Sequence, residues 1–208
     1  MNLYLATGNR HKQKEMQEIL SSFTIKIPAD DNISFDPDET GKSFYENSLI
    51  KARALWDIVK APVIADDSGL CVEALGGDPG IYTARYAGKE YVHGRPDGKK
   101  IAQADQNRLL IEQLNETGSS DRRCHYVCCM VLMINPDRFY IAQETFEGTL
   151  IKSIDQQSGT GGFGYDPIVF LPEYNKTVAD ITADEKNLIS HRGKAARAIA
   201  KILEEIKL

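Results

Sequence analysis

A mixed α/β fold follows from three features of this 208-residue sequence. An apolar run near the N-terminus breaks at a glycine turn and opens directly into a helical pattern. Two long apolar stretches, rich in β-branched and aromatic residues, follow one another between residues 124 and 151. The C-terminal segment then carries the clearest helical period in the chain. Strands that alternate with helices belong to layered α/β architectures, in which each helix buries its apolar stripe on a sheet.

Taken in order, Leu3 to Ala6 predicts a short buried strand, Thr7 to Asn9 a turn, and Lys12 to Leu20 a helix with Met16, Ile19 and Leu20 on one face. Ser43-x-x-Glu46 matches a capping box. The helix it opens extends to about Lys60, with Phe44, Leu49, Ala52, Trp56 and Val59 as the expected buried stripe. Pro62 to Ala65 reads as a second strand, followed at once by Asp66-Asp67-Ser68-Gly69, a sequence that also makes a good turn. A third helix is expected over Ile101 to Leu114, and strands near Cys124 to Ile134 and Phe139 to Ile151. Ala195, Ala198, Ile199, Ile202, Leu203 and Ile206 mark a last helix that starts near Ser190. The polar stretch Gly88 to Lys100 reads as a surface loop. With no repeat, low-complexity tract or linker, one domain over residues 1–208 is expected.

Composition narrows the function. The net charge is −5 and the pI near 5.4, and no long Lys/Arg block offers a track for a polyanion, so no nucleic-acid partner is expected. A small phosphate ligand stays possible because it needs only a local positive pocket. No apolar run approaches the roughly 18 residues of a membrane span, and MNLYLATGNRHK lacks the apolar stretch of a signal peptide, so a cytoplasmic location is expected. Cys71, Cys124, Cys128 and Cys129 lack paired C-x-x-C spacing and read as buried thiols. The four histidines form no H-E-x-x-H pattern.

Four clusters carry chemistry. A strand that ends in Thr7-Gly8-Asn9 and opens a helix through Arg10, His11 and Lys12 would expose backbone N–H groups at the positive end of the helix dipole, where a phosphate binds; an ordinary turn with Asn9 as N-cap explains the same residues. Glu39, Asp66 and Asp67 are the carboxylate candidates, and a pair of them would satisfy Mg²⁺, which completes its shell with water and phosphate oxygens. Gly161 to Pro167 reads as a tight loop whose Phe163 or Tyr165 could stack on a base or fill the core. Ser190-His191-Arg192 opens the last helix, either as a cationic recognition end or as a cap with a solvated face. Thr182-x-x-Glu185 is a further capping box just upstream. Two look-alikes fail. Gly41-Lys42-Ser43 ends like a P-loop, but Asp36, Asp38 and Glu39 precede it; Gly159-x-Gly161-x-x-Gly164 matches a dinucleotide fingerprint, but Pro167 interrupts the helix that should follow.

The peptides LATGNRHK, ETGKSFYENSLIKAR, IADDSGLCVEALGGDPGIYTARYAG, GTGGFGYDPIVF and EKNLISHRGKA, in this order, resemble the Ham1/RdgB family of inosine/xanthosine triphosphate pyrophosphatases along nearly the whole chain. The resemblance implies a mixed α/β fold of two lobes with the site in the cleft between them, and a homodimer. It implies Mg²⁺-dependent hydrolysis of ITP, dITP or XTP to the monophosphate and pyrophosphate. By the family pattern, Thr7, Gly8, Asn9, Arg10, His11, Lys12 and Lys51 would hold the triphosphate, Glu39 and Asp67 the metal, and Asp67 would be the catalytic carboxylate. Ser68, Phe163, Gly164, Tyr165, Asp166, Lys186, His191 and Arg192 would complete the substrate pocket. The segment KEYVHGRPDGKKIAQA, residues 89–104, is longer than is typical of the family, and Arg10 and His11 occupy positions that vary in it.

The implied chemistry is physically coherent. Lys12, Lys51 and Mg²⁺ would neutralise phosphate oxygens while Asp67 orients or deprotonates water, and attack at the α-phosphorus would release pyrophosphate. Donors at Lys186 and Arg192 suit a 6-keto base, whereas the amino group of adenine would face them donor to donor, at a cost of about 1–3 kcal/mol. The alternatives are a Maf-like pyrophosphatase with another base preference and a non-catalytic nucleotide sensor. The Phe163 loop and Ser190-His191-Arg192 argue against the first, and the Glu39 and Asp67 pair against the second.

Overall fold

A computed structural model describes residues 2–206. Seven strands and five helices occur among them: β1 (Asn2–Leu5), α1 (Arg10–Ile19), β2 (Thr24–Lys26), α2 (Phe44–Val59), β3 (Val63–Val72), α3 (Gln103–Glu116), β4 (Arg123–Asn135), β5 (Arg138–Leu150), β6 (Val169–Leu171), β7 (Lys176–Thr177), α4 (Ala183–Ile189) and α5 (His191–Ile206). The strands form one mixed sheet in the order β2-β1-β3-β4-β5-β6-β7, with β1 parallel to β2 and β3, and β6 antiparallel to β5 and β7. No described helix is long and apolar enough to cross a membrane.

The chain divides into two compact units. One holds the N-terminal part to Asp67, Cys128–Glu144 and the part from Ser190 onward; the other holds Ser68–Val127 and Thr145–Ile189. The divisions fall inside β3, β4 and β5, so these three long strands run from one unit into the other.

In the first unit the two-residue period of a strand sorts side chains between two cores. Leu3, Leu5, Ile64, Cys128, Met130 and Leu132 join Met16 and Leu20 of the α1 segment and Ala195, Ala196, Ile199 and Leu203 of α5. Ala6, Val63, Ala65, Val131 and Met133 take the other core with Ala52 and Leu55 of α2. The second unit has its own core, in which Leu70 and Val72 meet Leu110, Ile111 and Leu114 of α3, Tyr126, Phe146, Tyr165 and Val169. Residues 82–97 pack locally there: the rings of Tyr82 and His93 stack at 4.0 Å between centroids, and the Arg85 guanidinium lies 5.0 Å from the Tyr82 ring centre.

Two expectations need correction. Asp66-Asp67-Ser68-Gly69 is no turn, because β3 continues through it to Val72. Both faces of β3 are covered, so it shows no polar alternation, and its carboxylates are tolerated because each meets cations or amides. Of the stripe expected on α2, Ala52 is buried and Leu49, Trp56 and Val59 pack partly buried against the same core, but the fully buried face also takes Asn47, Ser48, Lys51 and Leu55. Polar partners draw it inward: Ser48 Oγ donates to the Cys129 carbonyl at 2.7 Å, while Asn47 and Lys51 reach Asp67.

Candidate functional site

β1 leaves the sheet after Leu5, where it pairs with Ile64, and β3 runs on past it, so Asp66 and Asp67 lie just beyond the end of their neighbouring strand. Strand ends of this kind are where α/β proteins place their chemistry. Successive strand residues point to opposite faces, and the two carboxylates separate accordingly.

Asp67 faces α2. Its Oδ1 lies 3.2 Å from Lys51 Nζ, and its Oδ2 accepts from Asn47 Nδ2 at 3.2 Å. Asn47 is oriented by the Gly41 N–H, which donates to its Oδ1 at 2.9 Å. Glu39 reaches the same Lys51 ammonium at 3.0 Å, so the Glu39 and Asp67 oxygens are no farther apart than those two ammonium distances together allow. Burial raises the Asp67 carboxyl above its ordinary value and Glu39 adds to the rise, with Lys51 and Asn47 opposing. Burial acts to lower the Lys51 ammonium, but Asp67, Asp66 and Glu39 together raise it.

Asp66 faces α1 and α5. Both of its oxygens contact Lys12 Nζ, at 3.0 and 2.8 Å, and Arg192 Nε lies 3.6 Å from Oδ2. Arg192 also reaches Glu15 of α1 at 3.0 Å. Burial acts to raise Asp66, yet the charges of Lys12, Arg192 and Lys51 hold it well below the usual carboxylate range.

The second unit holds a separate constellation. Asp166 is buried and accepts from three donors: Tyr126 Oη at 3.1 Å, the Phe163 amide at 2.7 Å and Lys186 Nζ at 2.5 Å. The Lys186 ammonium also sits 4.7 Å from the centre of the Phe163 ring. Phe163 is 47% exposed, a large apolar ring presented to solvent beside a cation. Lys186 lies in the last turn of α4, which begins at the expected capping box: the Glu185 amide donates to Thr182 Oγ1 at 3.2 Å, and Glu185 Oε2 accepts from the Thr182 amide at 2.8 Å.

A buried and an exposed carboxylate on one lysine, a second lysine one face away and an exposed aromatic beside a cation are a nucleotide-handling inventory, and comparison with known proteins gives it a family. The sequence profile of the Ham1 family matches residues 3–202. The chain is 48% identical over 205 residues to a dITP/XTP pyrophosphatase of Treponema denticola, covering 98% of this chain and 99% of that one. The chain belongs to the Ham1 family. Among solved structures, a Ham1 protein of Coxiella burnetii matches with a TM-score of 0.86 and 35% identity over 99% of both chains. The Staphylococcus aureus Ham1 protein matches with a TM-score of 0.84 and 32% identity, over 99% of this chain and 100% of that one.

The Ham1 pattern places its residues here as follows. Thr7 is half-buried, Gly8 to His11 are exposed, and Asn9 caps α1, its Oδ1 accepting from the amides of His11 at 2.9 Å and Lys12 at 3.4 Å. Within this turn the Asn9 amide donates to Thr7 Oγ1 at 3.2 Å. Arg10 bonds Gln13 and Asp30. Glu39, Lys51 and Asp67 come together, and Ser68 follows half-buried in β3. Of the two aromatics offered for stacking, Phe163 is exposed, whereas Tyr165 is 2% exposed and donates to the Thr83 carbonyl at 3.1 Å, a core role. Gly164 forms the turn between them with φ +69. His191 and Arg192 are buried in the first unit, so neither forms a solvated helix end. Ser190 Oγ makes the cap by accepting from the Gly193 amide at 3.2 Å. The Arg192 fork, expected at a base, lies on Glu15 and Asp66.

Asn47 and Glu15 went unremarked in the sequence. Their spacing was the available signal: Asn47 stands four residues before Lys51 and Glu15 three after Lys12, each on the same helix face as its lysine.

Proposed function

We propose that the chain hydrolyses aberrant purine nucleoside triphosphates, ITP, dITP and XTP, to the monophosphate and pyrophosphate, with Mg²⁺ held by Glu39 and Asp67. The observation that carries this reading is the convergence of both carboxylates on Lys51 in the same unit as Lys12. The relative in Treponema denticola, named a dITP/XTP pyrophosphatase, supports the substrate class.

The metal fits the charge count. Lys12, Lys51 and Arg192 are three cations set against four carboxylates, Glu15, Glu39, Asp66 and Asp67, so the cluster by itself is negative. A triphosphate needs a further positive charge there. Among the described residues no group of three or more His, Cys, Asp or Glu side chains is arranged around a metal position, and two carboxylates with water and phosphate oxygens are what Mg²⁺ takes. Bound Mg²⁺ would neutralise phosphate charge and polarise the phosphoryl oxygens.

The chain's own groups supply the rest. Lys12 and Lys51 donate to phosphate oxygens. Asp67, oriented by Asn47, accepts a proton from the water that attacks the α-phosphorus, and pyrophosphate leaves. Phe163 supplies a stacking face, worth about 1–3 kcal/mol. Lys186, fixed by Asp166, gives one of its two remaining N–H groups to a 6-keto oxygen and has no acceptor to offer the amino group of adenine. The enzyme acts as a cytoplasmic homodimer of the nucleotide pool, without a nucleic-acid partner.

Incubating the protein with ITP, dITP, XTP, GTP and ATP in Mg²⁺ and identifying both products tests the proposal. Pyrophosphate and monophosphate are expected, with kcat/KM for ITP exceeding that for ATP about tenfold or more. Primary release of orthophosphate and a diphosphate would refute the bond assignment. Full activity in excess chelator would remove the metal role.

A further inference from the structure

Asp66 is adjacent to a proposed metal ligand and yet faces away from it. The alternation of β3 places it with Ile64 on the α1 and α5 side, whereas Asp67 lies with Val63 and Ala65 on the α2 side. Its side chain is 1% exposed, and both oxygens are directed at Lys12 Nζ. A buried carboxylate is costly unless paired, so this one serves the ammonium it meets. The Lys12 side chain retains 19% exposure. An ammonium carries three donors, so Lys12 can bond Asp66 and still direct an N–H outward.

Behind Asp66 stands Arg192, its Nε 3.6 Å from Oδ2 and its Nη1 3.0 Å from Glu15 Oε2. Glu15 follows Lys12 by three residues on α1, which places both on one helix face. The charged groups therefore form a chain of contacts, Lys12 to Asp66, Asp66 to Arg192 and Arg192 to Glu15, whose two ends stand on one face of α1. A lone lysine has a flexible four-carbon stem and samples many rotamers. Here both oxygens of Asp66 hold its end.

We propose that Asp66 is a positioning residue, which holds the Lys12 ammonium where a triphosphate meets it and is itself braced by Arg192 and Glu15. The proposal rests on the reading of Lys12 as a phosphate-binding group. It assigns Arg192 a part in the phosphate half of the reaction, through Asp66.

The test is a double-mutant cycle of Asp66→Asn and Lys12→Ala, with KM and kcat measured on ITP and Mg²⁺. If Asp66 acts through Lys12, Asp66→Asn raises KM about tenfold by misplacing one charge-assisted contact to phosphate, with kcat within about twofold of wild type. In the Lys12→Ala background the same substitution then changes KM no further, because the group it positions is gone. Independent, multiplying effects on KM, or an unchanged KM in Asp66→Asn, overturn the proposal. A Lys12→Ala protein with wild-type KM would instead remove the phosphate-binding reading of Lys12, and this inference with it. Should Asp66→Asn fail to fold, Glu15→Gln loosens the brace from its partly exposed end. It is expected to raise KM about threefold at constant kcat, an effect that disappears in the Lys12→Ala background, and an unchanged KM there also overturns the proposal.

Discussion

The two-residue period of β3 sends Asp66 toward α1 and α5 and the next residue, Asp67, toward α2, and that single step gives the two carboxylates opposite electrostatics. Burial acts to raise both. At Asp66 the charges of Lys12, Arg192 and Lys51 prevail and hold the group ionised; at Asp67 burial and Glu39 prevail over Lys51 and Asn47. A carboxyl raised in this way is the better proton acceptor, which suits Asp67 to water and Asp66 to a permanent charge. Asp67→Asn keeps the volume and removes the charge. It is expected to lower kcat by about 10²-fold or more and to raise the Mg²⁺ concentration needed for turnover, while the melting temperature changes little. A well-folded Asp67→Asn protein that turned over ITP at the wild-type rate would exclude Asp67 from the chemistry.

Among the elements, the loop from Gly161 to Asp166 depends on backbone that only glycine provides cheaply. Gly162 and Gly164 have nearly the same positive φ, +71 and +69, but different surroundings. A Cβ at Gly162 would run into the Asp166 carboxylate, whereas one at Gly164 meets nothing within 4 Å. Gly164→Ala should therefore cost only the left-handed strain, about 1–2 kcal/mol of stability, and retain the ITP-to-ATP preference. Gly162→Ala should also displace Asp166 from the Phe163 amide and Lys186, and so reduce that preference; equal kcat/KM ratios in the two variants would show that Asp166 does not organise base recognition. Glycine spacing, the N-cap at Ser43, the capping box at Thr182 and the periods of α1, α3 and α5 were all legible in the sequence, because each is a local signal. The course of β3 was not, since a strand covered on both faces loses its alternation and Asp-Asp-Ser-Gly imitates a turn. The polar part of the inward face of α2 was hidden for a related reason: Asn47, Ser48 and Lys51 look like surface residues until Asp67 and the Cys129 carbonyl are placed against them. The short β2, β6 and β7 carry too few residues to show any period.

Across the whole molecule, buried thiols and phenols set a limit on alkaline stability. Burial, with Glu73 and Asp78 adding, pushes the Cys71 thiol from an ordinary 9.0 up to about 11, and burial with Glu73 pushes Cys124 up to about 12. Cys129 rises to about 11 and Cys128 also rises, both chiefly through burial. Burial likewise raises the phenols of Tyr86, Tyr126 and Tyr165. A group whose value is raised by folding binds its proton more tightly in the folded chain. Its contribution is complete below the unfolded value near 9 and is lost as pH rises through the folded values of about 11 to 12. Five of these seven groups, Cys71, Cys124 and the three tyrosines, belong to the second unit, and Cys128 and Cys129 to the first. The second unit should therefore open first as pH rises. Iodoacetamide pulses between pH 8 and 12, followed by peptide mapping, should leave all four thiols protected at pH 8 and label Cys71 and Cys124 at a lower pH than Cys128 and Cys129. Fluorescence of Trp56, which lies in the first unit, should change with the later pair. Labelling of Cys128 and Cys129 at the same pH as Cys71 and Cys124 would mean that the two units unfold as one, and the uneven distribution of raised groups would then have no effect on where alkaline opening begins.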